Sequence, residues 1–161
     1  MAHSLDTIFK AYDVRGLYPE ELDESVAKKI GNAFARFTAA STVIVGRDMR
    51  PSSVPLSQAF IEGATLAGAD VVDVGLASTD LVYFASGKLD APAAMFTASH
   101  NPAQYNGIKM CLALAAPVGE ATGLVQIKEA VAAGLVERAE EAGRVEHVDL
   151  LGDFAEHVRS F

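Results

Sequence analysis

Apolar residues follow two different spacings along this chain, and the spacings predict which segments are strands and which are helices. Short runs of apolar and β-branched residues at 42–45, 70–74, 93–96 and 108–112 are typical of buried β-strands. The stretch 8–17 is rich in strand-forming residues and ends in Gly-Leu-Tyr-Pro. It therefore predicts a short strand or a hairpin.

Helical spacing of apolar residues separates these strands. A first helix is predicted over about 20–37, and a second follows Pro51 and ends at Gly68. A Ser-Thr-Asp sequence with capping oxygens precedes a third predicted helix over 81–87, and a fourth covers about 123–133.

This alternation of strands and amphipathic helices predicts an α/β fold. We expect a three-layer α/β/α domain with a mixed, mostly parallel sheet, because helical crossovers join parallel neighbours. The strand at 108–112 follows the strand at 93–96 after a short loop, so it is expected to be the antiparallel member.

Domain boundaries are predicted from a change in composition near the C-terminal end. Residues 1–136 form the predicted α/β domain, and the polar stretch that follows predicts a linker over 137–149. Residues 150–161 begin an amphipathic helix, which is interpreted as the truncated start of a following domain.

Composition and charge exclude several classes of protein. The chain has 161 residues, half of them hydrophobic, and a net charge of −8, which argues against nucleic-acid binding and polybasic membrane contact. An anionic ligand would therefore need a local cluster of cations. No apolar run reaches the roughly 18–20 residues of a membrane-spanning helix, and the charged N-terminal region does not resemble a secretory signal.

The single cysteine, Cys111, suits a reducing cytoplasm and is interpreted as a buried structural thiol.

The hexapeptide Thr-Ala-Ser-His-Asn-Pro at 97–102 is the strongest candidate for chemistry. It presents the Ser99 hydroxyl where a predicted strand gives way to a loop, which is a common place for active sites in α/β proteins. Pro102 disfavours helical backbone at Asn101, so the loop does not continue as a helix. On local grounds alone, Ser99 or Asn101 could equally serve only turn hydrogen bonds.

Three further motifs accompany this loop and carry cations. They are Phe-Lys-Ala-Tyr-Asp-Val-Arg-Gly at 9–16, Val-Gly-Arg-Asp-Met-Arg-Pro-Ser at 45–52 and Asn-Gly-Ile-Lys at 106–109. Five of the 13 basic residues lie in these motifs: Lys10, Arg15, Arg47, Arg50 and Lys109. Guanidinium groups offer paired donors that suit phosphate oxygens.

In this order the four motifs resemble the α-D-phosphohexomutases, and most closely their phosphomannomutase/phosphoglucomutase branch. The resemblance extends from Phe9 to about Gly134. It implies an isomerase that interconverts hexose 6-phosphate and hexose 1-phosphate through a phosphoserine and a hexose 1,6-bisphosphate intermediate. The present chain resembles only the N-terminal, phosphoserine-bearing domain of such an enzyme. A mannose or glucose phosphate is the implied substrate, and the remaining domains of the same polypeptide are the implied partners.

The resemblance also implies roles for individual residues. Ser99 would carry the phosphoryl group, Lys109 would assist proton transfer, and Arg15 would bind phosphate or assist acid–base chemistry. A second set would bind substrate or phosphate, or support the loop: Tyr12, His100, Asn101, Lys10 and Arg47. A buried structural role for Tyr12 is an equally open interpretation.

The resemblance implies Mg²⁺ as a cofactor, with hexose 1,6-bisphosphate as activator and intermediate. Ser99 would contact the metal through its phosphate. No two aspartates here are separated by a single residue, so the family's Asp-x-Asp-x-Asp metal loop is not present, and the other ligands are expected outside this chain.

Two other functions compete with a mutase domain. One is a separate sugar-phosphate binding or regulatory module that lacks catalysis. The other is a serine hydrolase, which is disfavoured because no Gly-x-Ser-x-Gly elbow is present. Neighbouring residues of an extended segment point to opposite sides, so Ser99 and His100 are not expected to form a catalytic pair.

Overall fold

A computed structural model describes residues 4–161 as six α-helices and seven strands joined by short loops. Residues 1–3, which the predicted domain range includes, lie outside the described residues. The helices are α1 (Leu5–Ile8), α2 (Glu24–Thr38), α3 (Ser53–Leu66), α4 (Thr79–Leu89), α5 (Leu124–Ala132) and α6 (Leu151–Arg159). The strands are β1 (Val14–Leu17), β2 (Thr42–Arg47), β3 (Asp70–Leu76), β4 (Ala93–Phe96), β5 (Tyr105–Leu112), β6 (Ala116–Pro117) and β7 (Val145–His147).

These strands form one mixed sheet. The order across the sheet is β1-β5-β4-β2-β3-β7, and the short β6 pairs with β5. Strands β4, β2, β3 and β7 are mutually parallel, whereas β5 is antiparallel to β1, β4 and β6. The prediction that the strand after the serine loop is the antiparallel member is confirmed, because a short loop can reverse the chain but cannot make a parallel crossover.

Helices cover both faces of the sheet. On one face, α2, α3 and α5 enclose a core in which the Phe60 ring lies 6.0 Å from Phe34 and 5.4 Å from Phe96. On the other face, buried residues of α4 pack against β2 and β4, and Leu150 joins this second core. The three-layer α/β/α fold predicted from the sequence is therefore confirmed.

Helix boundaries follow the capping residues. Helix α2 begins at Glu24, four residues later than predicted, because the Asp23 carboxylate accepts a hydrogen bond from the Val26 N–H at 2.9 Å. Helix α4 is capped as predicted, since the Ser78 hydroxyl accepts from the Leu81 N–H at 3.1 Å. Gly68 takes a φ of +94° just after α3 and turns the chain into β3.

The N-terminal prediction of a strand or hairpin over 8–17 is met only in part. Ile8 ends the one-turn helix α1, and β1 begins at Val14. A single antiparallel bridge between Phe9 and Val14 and a hydrogen bond from the Lys10 N–H to the Asp13 carbonyl (2.8 Å) close a tight turn between them. This turn places residues 10–13 beside the edge of the sheet.

The segment predicted as a linker contributes a strand to the sheet. Within 137–149, β7 pairs in parallel with β3. Helix α6 follows, and its Phe154 ring lies 5.6 Å from Phe84 of α4, while Asp153 pairs with Lys88 at 3.3 Å. The sequence analysis missed this strand because β7 is exposed at the sheet edge and carries no apolar pattern. The assignment of residues 150–161 to a following domain stays a prediction.

Two further sequence predictions concern Cys111 and membrane-spanning helices. Cys111 is buried in the second core, and burial raises the pKa of its thiol, as expected of a structural cysteine. Within residues 4–161, no helix combines the length and apolar character needed to cross a bilayer.

Helices α2 and α3 cross at glycines, which gives a test of the packing. A Cβ at Gly31 would lie 2.1 Å from the Phe60 carbonyl oxygen, so Gly31→Ala must separate the two helices. We expect the free energy of unfolding to fall by about 2 kcal/mol, the usual size of an overpacking penalty. Urea denaturation of the variant measures this loss.

Gly87→Ala in α4 is the matched control. A Cβ there meets nothing within 4 Å, so the substitution should stabilise the helix by about 0.5–1 kcal/mol. Equal stability changes in the two variants would contradict the close α2–α3 contact.

Candidate active site

The serine loop, defined here as residues 97–104, begins where β4 ends and returns the chain to β5. Ser99 is exposed and has a φ of +53°, in the left-handed region that non-glycine residues enter at a cost of roughly 1–2 kcal/mol. The Ser99 N–H donates to the Thr97 hydroxyl at 3.0 Å, and both the backbone and side-chain N–H groups of Asn101 donate to the Ala98 carbonyl. These bonds hold the loop in a tight turn with the hydroxyl outward.

Arg50 holds this loop in place through its carbonyl groups. One terminal nitrogen of its guanidinium donates to the carbonyls of Pro102 (2.8 Å) and Tyr105 (2.9 Å), and the other donates to those of Ser99 (2.9 Å) and Asn101 (2.7 Å). Its Nε pairs with the Asp48 carboxylate at 3.2 Å. The side chain is only 10% exposed, so these charge-assisted bonds are poorly screened by water. Asp48 and Arg50 together therefore brace the serine loop.

A buried amide extends this brace into the fold. The Asn106 side chain donates to the hydroxyls of Ser52 (2.8 Å) and Ser53 (3.0 Å), and its oxygen accepts from the Gly107 N–H. The Ser53 hydroxyl in turn donates to Asp48 at 2.6 Å. Strand β5, the start of α3 and the loop after β2 therefore share one hydrogen-bond network that ends at Arg50.

A second polar cluster lies on β1 and β5. The Asp13 carboxylate accepts from Arg15 at 2.8 Å and from Lys109 at 3.2 Å, and Asp13 is only 8% exposed. The buried Nε of Arg15 has no hydrogen-bond partner among residues 4–161. Arg15 therefore retains donors for an oxygen-bearing ligand.

Strand register brings this cluster next to the serine loop. The Thr97 N–H donates to the Gly107 carbonyl at 3.1 Å, and Arg15 lies opposite Gly107 on the neighbouring strand. Lys109 lies two residues further along β5, opposite Met95, so both cations stand on strands beside the point where the loop begins. Arg15 and Lys109 thus lie on strands next to the start of the loop that carries Ser99. Their assignment as site residues with Ser99 stays a prediction.

The supporting residues lie in more varied places. Tyr12 is 79% exposed, so the alternative of a buried structural tyrosine is wrong, and it borders a shallow hollow with Gly119 and Glu120. Lys10 is exposed and donates to the Thr7 carbonyl. Arg47 ends β2 half-buried, and among residues 4–161 its side chain has no hydrogen-bond or ion-pair partner.

His100 departs from the sequence-based expectation. Its Nδ1 lies 3.4 Å from the Ser99 hydroxyl oxygen, although neighbouring side chains were expected on opposite sides. The expectation assumed extended backbone, whereas the left-handed Ser99 turns the two side chains toward each other. The contact is at the long end of hydrogen-bond distances, and it lets His100 orient the hydroxyl.

Two site residues were not singled out from the sequence. Asp13 stands inside the quoted N-terminal motif, and its position between two motif cations was the available signal. Tyr83 of α4 is half-buried, and burial, followed by the neighbouring Cys111, Asp80 and Asp13, raises the pKa of its phenol. No sequence pattern placed Tyr83 near this cluster, because only the fold brings α4 over β5.

The described residues do not form a magnesium site by themselves. Within 4–161, no group of three or more acidic, histidine or cysteine side chains is arranged to hold a metal ion. The carboxylates nearest the loop, Asp13 and Asp48, are already engaged by cations.

Comparison with known proteins agrees with this fold. Residues 6–138 match the family described as "Phosphoglucomutase/phosphomannomutase, alpha/beta/alpha domain I". The chain is 44% identical over 126 residues to a protein named phosphohexose mutases from Xanthomonas campestris, covering 78% of this chain and 28% of the relative. It is 37% identical over 155 residues to a phosphomannomutase from Escherichia coli, covering 94% of this chain and 34% of the relative.

A solved structure shows the same fold. A phosphoglucomutase/phosphomannomutase family protein from Burkholderia thailandensis superposes with a TM-score of 0.86 at 32% identity, covering 96% of this chain and 35% of that protein. The chain therefore belongs to the phosphoglucomutase/phosphomannomutase family, and it corresponds to domain I. It spans about a third of the length of the curated relatives it matches.

The Asp13 bridge gives a test of the site's electrostatics. Asp13→Asn keeps the side-chain shape but leaves the charges of Arg15 and Lys109 uncompensated, so we expect a loss of about 1.5–3 kcal/mol in the free energy of unfolding. Because two like charges then face each other, the loss should shrink as the salt concentration rises.

Asp90→Asn is the control, since Asp90 is exposed at the end of α4 in left-handed backbone that asparagine also tolerates. It should change stability by less than about 0.5 kcal/mol. An Asp13→Asn variant as stable as this control would show that the bridge contributes nothing.

Proposed function

We propose that this chain is the phosphoserine-bearing part of a hexose phosphate mutase that acts on mannose or glucose phosphates. Membership of the family supports the reaction class, and the exposed, braced Ser99 beside two cations supports the residue. The single observation that best supports the proposal is that the Arg50 guanidinium binds three carbonyls of the serine loop and that of Tyr105. A loop with only a turn-forming role has no need for four such bonds.

The reaction begins with phosphate on Ser99. A hydroxyl oxygen of the hexose monophosphate attacks phosphorus, the new P–O bond forms, and the bond from phosphorus to the Ser99 oxygen breaks. The attacking hydroxyl loses its proton, and the Ser99 oxygen gains one. The product is a hexose bisphosphate, which returns its other phosphoryl group to Ser99 by the same step in reverse. The phosphate has then moved between C1 and C6.

Lys109 and Arg15 stabilise the negative charges that this step involves. The Lys109 ammonium stabilises the negative charge that develops on the Ser99 oxygen as its bond to phosphorus breaks. Arg15 offers to phosphate oxygens the terminal guanidinium N–H groups that do not bind Asp13. Asp13 joins the two cations and holds them in fixed positions, so little reorganisation is needed during transfer.

The remaining assignments rest on the family resemblance. Mg²⁺ and hexose 1,6-bisphosphate are the expected cofactor and activator, with the metal held at the Ser99 phosphate by ligands outside this chain. Tyr12, Lys10, Arg47 and Asn101 are assigned to substrate binding or loop support. A cytoplasmic location fits a substrate of this class.

Ser99→Ala in the full-length protein tests the phosphorylation site. The variant should lose both its covalent phosphate and its mutase activity, because no hydroxyl remains to carry the phosphoryl group. Intact-mass and peptide analysis measure the phosphate, and a coupled assay measures turnover. Ser41→Ala, an exposed serine just before β2, should change neither. Phosphate retained on another residue of the Ser99→Ala protein would refute the assignment.

The isolated 161-residue chain should fold without catalysing mutase turnover. Its two cores are complete enough to fold, but these residues alone cannot hold the bisphosphate while it reorients or shield it from water. We would compare it with full-length protein in the presence of hexose 1,6-bisphosphate and Mg²⁺. Turnover within about tenfold of full length, roughly 1.4 kcal/mol in barrier, would show that the active site lies within this chain.

A further inference from the structure

We propose that Arg50 is a positioning residue that turns the backbone N–H groups of His100 and Ala103 outward, so that they form a binding site for the phosphate carried by Ser99. This inference rests on the proposed function, because it assumes that Ser99 is phosphorylated.

Peptide geometry carries the first step. In a trans peptide the carbonyl and the following N–H point in opposite directions, and the only cis bond among residues 4–161 is Tyr18–Pro19. Arg50 draws the Ser99 and Pro102 carbonyls toward its guanidinium. The N–H groups of His100 and Ala103 must then point away from Arg50. The third captured carbonyl, that of Asn101, precedes Pro102, which has no N–H to present.

These two N–H groups are free to bind a ligand. Among residues 4–161, neither the His100 nor the Ala103 backbone N–H has a hydrogen-bond acceptor, whereas those of Ser99, Asn101 and Tyr105 do. The His100 N–H belongs to the residue directly after Ser99, so a phosphate on the Ser99 hydroxyl extends into its neighbourhood. Backbone N–H groups of a turn that lack an internal acceptor can form concave sites suited to anions.

The charge of Arg50 strengthens this arrangement without reaching the phosphate. Each carbonyl bound to the guanidinium is polarised, and hydrogen bonds in a chain polarise one another, so the N–H of the same peptide becomes a better donor. The Asp48 carboxylate and the buried Asn106 network keep Arg50 in place. The loop is therefore arranged before the phosphate arrives, which is the condition under which such donors favour transfer most.

The wild-type full-length protein provides the direct test. With histidine residues labelled with ¹⁵N, the His100 amide can be assigned from the signal that disappears in His100→Gln. Its exchange with solvent hydrogen is then measured with and without phosphate on Ser99. We expect phosphorylation to slow this exchange, because the N–H gains an acceptor, while the amides of His147 and His157 stay unchanged.

Arg50→Lys tests the positioning role. Lysine keeps the charge but lacks the planar fork that collects four carbonyls. We expect kcat to fall about 100-fold with KM within about threefold, as for loss of one transition-state donor, and the phosphate-dependent protection of His100 to disappear. Arg36→Lys is the matched control, because Arg36 also binds carbonyl and carboxylate oxygens but lies on α2. It should leave both readouts unchanged.

The outcomes separate this inference from the proposed function. An absence of phosphate on Ser99 in active enzyme overturns both. A phosphorylated Ser99 with unchanged His100 exchange overturns only the backbone site, and so does an Arg50→Lys protein that keeps wild-type kcat and His100 protection. If Arg50→Lys fails to fold, the exchange measured on the wild-type protein decides the question by itself.

Discussion

The guanidinium of Arg50 holds three carbonyls of the serine loop and that of Tyr105, because the loop after β2 and the loop after β4 leave the sheet side by side. Parallel neighbours end at the same edge, so Arg50, three residues beyond β2, reaches the chain just beyond Phe96. Without this cation, the carbonyls of a tight, exposed turn would face one another with only water between them. The left-handed backbone of Ser99 is sustained because these bonds, together with those to Thr97 and Ala98, outweigh its conformational cost.

The same constraint organises the interior. Arg50 is held by Asp48, Asp48 by the Ser53 hydroxyl, and Ser53 by the buried Asn106 side chain. Each member of this chain satisfies the next, which is the condition for a polar network to be tolerated inside a fold. The network begins on β5, the strand that also carries Lys109. Strand β5 thus determines both the position of the serine loop, through Asn106, and the position of Lys109.

The sequence predicted those parts of the molecule that depend on local patterns. Apolar spacing identified the four central strands and the helices around them, and Ser78 was identified as a cap, because such signals act within a few residues. It missed β7, whose exposed residues carry no apolar pattern, and it placed the start of α2 too early. Motif resemblance predicted Ser99, Lys109 and Arg15 as site residues, and this stays a prediction. The Asp13 bridge, the partners of Arg50 and the proximity of Tyr83 depend on strand register and helix placement, which a single sequence does not encode in any short pattern.

The electrostatics of the site follow from a contrast between the whole chain and one edge of its sheet. A net charge of −8 repels an anion such as the proposed sugar phosphate at long range, so binding must come from short-range contacts. Arg15 and Lys109 meet this need because Asp13 offsets their mutual repulsion while leaving Arg15 with unsatisfied donors. Arg50 contributes in a different way. Its guanidinium binds carbonyl oxygens, so in the proposed site it acts on the ligand only indirectly, through the peptide groups that it orients. In the proposed site, side-chain cations on β1 and β5 and backbone donors of the serine loop come from different elements, so transferred charge is stabilised without concentrating positive charge at one point.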